Sequence, residues 1–431
     1  MILTSSYLIT DYDKLLSQTA KEANNLYNLC LYHIRQNFIK KHKLNNYSYY
    51  DKLFKNMYKN KENMLYHKLQ YVQSAQQTIK EVVTTWSNWL KALKAYYKNP
   101  AKFTGKPRMP YYLDKGHKHI FYVTNQNAIN KHGYLIIKKL NLKLKLIDNI
   151  GKIKRVAFKP EANRKFTVLV QYEVPDKKLR PDNNKYIGVD PGLDNAFTCV
   201  TNGQYQPLII NGKGIKSVNQ LYNKKISDLK AQHVKYHQCC KTIYSQKQKK
   251  SIEIYSYSKS MYTLTDWRNQ KVKEFAHKAT KSIIDYALNC GANTIVVGYN
   301  KYQKRSANMG KKTNQNFIGI PHSYMIKMLE YKAKLTGLNV IKTNESYTSQ
   351  TSFLDNEKPC KQNGNYARKQ KSLSPIKRRI KRGLFKSNKG ILINADVNGA
   401  LQIIKKEFPK FRNNDGIERF VLNPIKLNIK F

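Results

Sequence analysis

Residues 185–200, KYIGVDPGLDNAFTCV, constrain the fold of this chain more than any other stretch. An apolar run (Tyr186, Ile187, Val189) leads to Asp190, a Pro-Gly turn follows, and a second strand-like run covers Ala196 to Val200. Asp190 therefore stands where one strand ends and a tight turn opens the next. Aspartate before Pro or Gly commonly serves only to support such a turn, through hydrogen bonds to the backbone ahead of it. The same turn lets the carboxylate stand clear of the sheet, with room for a metal ion beside it. A second acid far downstream, Asp396 in INADVNGA, favours the metal-binding reading.

Charge narrows the class of partner. The 431 residues include 79 Lys+Arg against 27 Asp+Glu, a net charge of +52. Abundant Lys, Asn and Tyr fit an A/T-rich coding sequence, but that bias would raise Glu as well, and acids are scarce. A charge this large repels itself unless a polyanion neutralises it, so nucleic acid is the expected partner. An anionic membrane surface is the weaker alternative. No apolar run reaches the roughly 18 residues needed to span a bilayer, and no basic-apolar-small leader opens the chain. An intracellular, cytoplasmic protein is expected. None of the six cysteines (Cys30, Cys199, Cys239, Cys240, Cys290, Cys360) forms a C-x-x-C pair, which argues against a disulfide framework and a local zinc knuckle.

With 41% apolar residues, the chain is long enough for two or three domains with their own cores. Residues 1–10 read as one strand. Apolar residues recur at helical spacing from Tyr12 to about Phe38 and again over 61–98, where Trp86 and Trp89 lie on the apolar stripe and are expected in the core. A basic connector with Tyr47, Tyr49 and Tyr50 separates the two helical runs. PAKFTGKPRMPYY, 100–112, is an extended basic connector: either a plain linker or a stiff backbone from which Lys106 and Arg108 reach phosphates. Residues 116–180 alternate as strands of a small antiparallel sheet or barrel, with His117 and His119 read as structural or exposed.

After the polar boundary LRPDNNK, 179–185, the pattern changes to strand–helix alternation. Helices are expected over 215–248, 264–289 and 321–336, with buried strand TIVVGYN at 294–300 and strand LNVIKT at 338–343 delivering Glu345. The loop after TIVVGYN is dense in bases, Lys304 and Arg305 among them. Residues 356–392 are polar and basic, with the run Lys377, Arg378, Arg379, Lys381, Arg382 either contacting phosphates or solvated as a disordered tract. Asp396 opens a helix, and the tail 412–431 is expected to be loosely ordered.

Asp190, Glu345 and Asp396 each lie at the edge of an apolar element. Three carboxylates brought together repel one another, and divalent cations relieve that repulsion. Hard oxygen donors suit Mg²⁺ or Mn²⁺ and not zinc. Two such ions about 4 Å apart activate a water and hold the leaving oxygen of a phosphodiester. The expectation is that the three acids hold two Mg²⁺ (or Mn²⁺) ions and hydrolyse nucleic acid.

GVDPGLDNAF resembles the first motif of RuvC-type, RNase H-fold nucleases, and INADVNGA resembles their third. Between them NQNFIGIP, YKAKLTGLNVI, ESYTSQTSFLD and RIKRGLF are similar to stretches of TnpB proteins, the transposon-encoded relatives of type V CRISPR effectors. The resemblance covers about 186–405. It implies an α+β multidomain chain: an N-terminal β-barrel (wedge; 1–11 and 100–184), a helical recognition insertion at 12–99, and an RNase H-like RuvC α/β nuclease domain at 185–411. It also implies an RNA-guided, metal-dependent DNA endonuclease. Its partners would be a guide RNA from the transposon end and double-stranded target DNA beside a flanking motif, with one protein per RNA and a dimer left open.

Two departures from the family pattern stand out. Many RuvC-like members carry Glu directly after the strand matching TIVVGYN, where this chain has Gly298, so Glu345 at the end of the next strand is the natural substitute. Many relatives also carry paired zinc-binding cysteines in the insert before Asp396. Only Cys360 lies in 356–392, and no zinc is expected. The alternatives are a nuclease-inactive RNA-guided DNA-binding protein, a DNA-joining transposase with His117 and His119 as its histidine pair, and a structural ribonucleoprotein subunit. The last would leave the acids unexplained.

Overall fold

The computed structural model describes the chain except for residues 12–13, 42–43, 148–149, 162–163, 237–240, 246–249, 255, 301–309, 311–314, 316–318, 347, 360–378, 382, 412–416 and 431. The chain divides into two compact units, Met1–Pro175 and Asp176–Phe431. It is a mixture of helices and sheets, and among the described residues no helix is long and apolar enough to cross a membrane.

In the first unit, β1 (Ile2–Thr10), β7 (Lys165–Glu173), β6 (Ile153–Pro160) and β2 (Phe121–Thr124) form an antiparallel sheet in that order. A separate meander joins β3 (Ile129–Lys131), β4 (Tyr134–Ile137) and β5 (Leu142–Lys145). Between β1 and β2 lie α1 (Leu15–Lys41), α2 (Tyr47–Lys59), α3 (Leu65–Lys68) and α4 (Val72–Lys98). The helical period explains the packing: Ala20, Ala23, Leu26, Leu31 and Ile34 of α1 meet Ala75, Ile79, Val82 and Trp86 of α4 in one core. Trp86 is fully buried, with its ring 5.1 Å from Trp89 and 5.5 Å from Phe38.

Two segments differ from the sequence reading. The stretch expected to be a basic connector forms α2, capped by the Asn46 side chain, which accepts from the Tyr49 amide, and anchored by buried Tyr50 and Phe54. Its tyrosines supply apolar surface that a count of aliphatic residues overlooks. The helix expected over 61–98 is broken at Leu69–Tyr71, where Gln70 takes a positive φ of 64°. His119 proves structural, its Nε2 lying 3.1 Å from Glu81 Oε1, while His117 is exposed.

The second unit is built on a six-stranded sheet ordered β14-β13-β8-β9-β10-β18. These strands are Asn339–Thr343, Thr294–Gly298, Tyr186–Pro191, Asn195–Thr201, Leu208–Asn211 and Ile425–Leu427. β8, β9 and β10 form an antiparallel meander, while β13 and β14 add to β8 in parallel. One face is covered by α6 (Lys259–Asn289) and α7 (His322–Thr336), which bury Ile187, Val189, Ile295 and Val297 against Phe275, Ile283, Met325 and Leu329. The other face is covered by α8 (Ala395–Glu407), through Val397, Ala400, Leu401 and Ile404. With helices on both faces, β13 is buried at every position, as its unbroken apolar run predicts.

Gly188 sets the helix–sheet spacing. A Cβ there would stand 2.4 Å from the Ala400 carbonyl oxygen and 2.7 Å from Ile404 Cγ1, so α8 lies against bare backbone of β8.

α5 (Lys213–Tyr236) packs on α6, and a hairpin of β11 (Lys241–Ser245) and β12 (Lys250–Ile254) fills part of the stretch expected to be helical up to 248. A small antiparallel sheet of β15 (Arg379–Lys381), β16 (Leu384–Lys386) and β17 (Leu392–Asn394) precedes α8. The tail corrects an expectation: 417–421 forms α9, and β18 pairs in parallel with β10, Leu208 opposite Ile425. Leu427 and Ile429 pack on the sheet core, which holds a segment that reads as scattered apolars in sequence.

Candidate active site

Three neighbouring strands end together. Val297 of β13 is in register with Val189 of β8, so Gly298 comes level with Asp190, and Gly298 is in register with Thr343 at the end of β14. Glu345 follows two residues beyond Thr343. Its side chain lies over Gly298, because a Cβ built on Gly298 would stand 2.7 Å from Glu345 Oε2 and 3.1 Å from its Cβ. The carboxylate thus fills the volume that any side chain at 298 would need. Asn300 Nδ2 donates to Glu345 Oε1 at 3.3 Å.

Asp396 arrives from the opposite direction, in the first turn of α8. Asn394 caps that helix, its Oδ1 accepting from the amides of Asp396 and Val397 at 2.9 and 3.2 Å. Asn195, at the start of β9, donates through Nδ2 to Asp396 Oδ2 at 2.7 Å. α8 runs close past Asp190, since a Cβ on Gly399 would lie 3.0 Å from Asp190 Oδ2. The turn after Asp190 is held from the other face of the sheet, where His322 Nε2 lies 2.9 Å from the Gly192 carbonyl oxygen.

The three acids feel one another. Burial pushes the Asp190 carboxyl well above the usual carboxylate range, and the negative charges of Glu345 and Asp396 push it the same way, while the Arg379 cation acts in the opposite sense. Among the described residues, no three His, Cys, Asp or Glu side chains stand in a ready-made ion cage. Asp396 and Glu345 each accept a hydrogen bond from an asparagine. The donor chemistry fits a hard divalent ion: three carboxylates from three elements, with no thiolate or imidazole beside them among the described residues, and a central acid whose ionisation is opposed by burial first and by the two neighbouring negative charges next.

The predicted basic residues divide. Lys106 and Arg108 are exposed on a connector that is docked in place: Trp89 Nε1 donates to the Pro107 carbonyl at 3.2 Å, Arg35 donates to that of Pro110, and Asn28 holds Leu113 through both its amide and its carbonyl. The Lys106 ammonium sits 5.4 Å from the centroid of the Tyr97 ring. Arg379 and Lys381 are exposed on β15, and Arg379 is near enough for its charge to act on Asp190. Lys304, Arg305, Lys377, Arg378 and Arg382 lie outside the described residues, as does Cys360. The supporting residues Asn195, Asn300 and His322 carry no sequence signal of their own; only the two strand ends they flank could have pointed to them.

Two family models match the chain. OrfB_IS605, described as "Probable transposase", covers residues 169–304, and the Cas12f1-like TNB domain covers 322–403. No curated protein matches. Among solved structures, a Cas12f1–sgRNA–target DNA complex is 16% identical, with 93% of this chain and 98% of that one covered at a TM-score of 0.34. A CRISPR–Cas12f ternary complex is also 16% identical, at 0.35, covering 93% of this chain and 82% of that one. C2c1 of Alicyclobacillus acidoterrestris with single-guide RNA is 11% identical, at 0.38, with 94% and 70% covered.

Proposed function

We infer that this TnpB-like chain is an RNA-guided DNA endonuclease of a transposable element, cutting target DNA beside a short flanking motif. The observation that carries the reading is that Asp190, Glu345 and Asp396 lie near enough at one end of the six-stranded sheet for the charges of the last two to act on the first. The sheet, an antiparallel meander extended by parallel strands on one side, supports an RNase H-like, RuvC-type nuclease domain over 185–411. A wedge barrel at 1–11 and 100–184 with a helical insertion at 12–99 would draw on the four-stranded sheet and the three-stranded meander of the first unit, which ends at Pro175, and on 176–184 of the second. Matched type V effectors are complexes with guide RNA and target DNA, and a charge of +52 suits both polyanions.

Asp190, Glu345 and Asp396 would hold two Mg²⁺ or Mn²⁺ ions. Ions bound there supply water activation and charge neutralisation at the leaving oxygen. The protein's own part is placement. Asn195 and Asn300 orient the flanking carboxylates, Gly298 leaves the space in which Glu345 stands, and the Pro191–Gly192 turn, held by His322, fixes Asp190. Arg379 and Lys381 are positioned to meet phosphates of the strand being cut, and Lys106 and Arg108 those of the duplex or guide.

The test is cleavage of a guide-matched duplex by the ribonucleoprotein in Mg²⁺. Asp190→Ala abolishes cutting and leaves RNA binding intact. Cutting that survives this change removes the assignment, and a wild-type complex that binds matched DNA without cutting it makes the protein a guided binder.

A further inference from the structure

A second surface of the nuclease unit has no part in the site above. Where α5 runs beside the first turns of α6, Leu221, Leu264 and Trp267 line a groove of about 510 Å³ together with Lys225, Lys259 and Thr263. Leu221 is 43% exposed, and none of these three apolar side chains belongs to the core that α6 builds further along with Phe275, Ala279 and Ile283. Tyr257 and Tyr262, from the same stretch, are also exposed, with ring centroids 5.6 Å apart, and the Lys230 ammonium sits 5.4 Å from the Tyr257 ring centroid. Single exposed leucines are ordinary. A concave face joining a tryptophan and two leucines has the make-up of a ligand-binding surface, and the exposed tyrosines lie outside its lining.

Charge selects the occupant. Both ionisable residues lining the groove are lysines, with Lys224 and Lys230 near them on α5 and Asp228 and Asp266 the acids on the neighbouring turns. A second copy of a chain carrying +52 would bring like charge to a basic groove. The matching chemistry is an anionic polymer that also carries flat apolar faces, and that is a single-stranded nucleic acid, with bases stacking on aromatic rings and phosphates meeting lysines. Thr263 offers a group that could tell ribose from deoxyribose. Its hydroxyl donates to the Lys259 carbonyl at 3.0 Å and so keeps acceptor capacity, which a 2′-hydroxyl can use and deoxyribose cannot.

We propose that the α5–α6 groove binds unpaired RNA nucleotides, with a base stacked on Trp267 and the adjoining phosphates held by Lys225 and Lys259. This rests on RNA being a partner of the protein and is independent of cleavage.

The chain has three tryptophans, and the other two, Trp86 and Trp89, lie in the first unit. The difference in emission between the full-length protein and its Trp267→Phe variant therefore reports on the groove without disturbing the buried Trp86. The probe is an unstructured 12-nucleotide uridine RNA with a labelled end, titrated while anisotropy follows binding. The expected result is saturable quenching of the Trp267 component. Lys225→Gln with Lys259→Gln should weaken it about tenfold or more, and the deoxyuridine strand should quench it at several-fold higher concentration. RNA that binds by anisotropy while Trp267 emission stays unchanged overturns the proposal. So does quenching that survives loss of both lysines, or equal quenching by the deoxy strand. RNA that fails to bind at all overturns the premise that RNA is a partner.

Discussion

Gly298 and Glu345 occupy one site between them: the space beside the Gly298 Cα, at the end of the strand flanking Asp190, holds the Glu345 carboxylate, 2.7 Å from where a Cβ would stand. The pair works as one position split across two strands. The glycine supplies the room, and the glutamate, starting from the next strand's end, supplies the charge. Relocating an acid in this way needs both changes, since a side chain at 298 and Glu345 in its present place exclude each other.

Gly298→Ala should therefore displace Glu345 and lower the cleavage rate by about 10²-fold, the usual cost of about 1 Å of misplacement, with RNA binding unchanged. Glu345→Ala alone should be as inactive as Asp190→Ala. Combining Gly298→Glu with Glu345→Ala returns a carboxylate to the vacated volume. Two close contacts remain: Ile403 Cδ1 at 2.8 Å, the flexible end of a side chain, which can yield, and the Cβ of residue 345 at 3.1 Å, which alanine keeps and which must give by a few tenths of an ångström. The double variant should recover measurable cutting where each single variant has little, as read by single-turnover cleavage of a guide-matched duplex. No recovery would mean that the acid must approach from the Glu345 side.

Asp190 makes stability depend on pH in a defined sense. Its folded-state pKa is raised, by burial first and by Glu345 and Asp396 next. The folded protein then holds that proton more tightly than the unfolded chain, whose aspartates titrate near pH 3.9, at about the usual value. In the metal-free protein the contribution of Asp190 to stability should accordingly be fully present below the unfolded value and be lost as pH rises through the raised one. Asp190→Asn removes the ionisation and should raise the thermal midpoint in EDTA at neutral pH. Added Mg²⁺ should stabilise the parent protein and not the variant. Thermal melts at several pH values, with and without Mg²⁺, check both signs.

Much of this was legible in the sequence because the signals were local. The apolar run of TIVVGYN gave a buried strand, the Asp-Pro-Gly step gave a strand end, and INADVNGALQIIKK gave a helix opening at Asp396. What was not legible depended on pairing at a distance. β18 carries three residues of weak strand character and is ordered only because β10 offers an edge. α2 hides its core contacts in tyrosines. Glu345 could be nominated from the absence of an acid at 298, but the reason it fits, the contact between its carboxylate and the missing Cβ, exists only once β13 and β14 lie side by side.

The loop that delivers Glu345 is pinned on both sides by consecutive residues of α8. Thr343 Oγ1 donates to Glu407 Oε2 at 2.9 Å, and Lys406 Nζ donates to the Ser346 carbonyl at 3.1 Å. The same helix carries Asp396 at its other end, so one rigid element sets the spacing between two of the three acids. Both bonds involve a charged group, but Lys406 is the stronger tie because it is partly buried, where such a bond contributes about 1.5–3 kcal/mol, while solvent screens the exposed Thr343–Glu407 bond to about 1 kcal/mol or less. If Lys406 acts by positioning Glu345, then Lys406→Met should lower the cleavage rate constant about tenfold and raise the Mg²⁺ concentration needed for half-maximal activity, with affinity for target DNA unchanged. Lys406→Arg should restore most of the rate, and Glu407→Ala should cost less than about threefold. Amide exchange over 343–346 gives a readout apart from activity: it should quicken in Lys406→Met and return towards normal in Lys406→Arg. A loss of DNA affinity with a normal Mg²⁺ requirement would instead make Lys406 a phosphate contact, and the link between α8 and the Glu345 loop would fall.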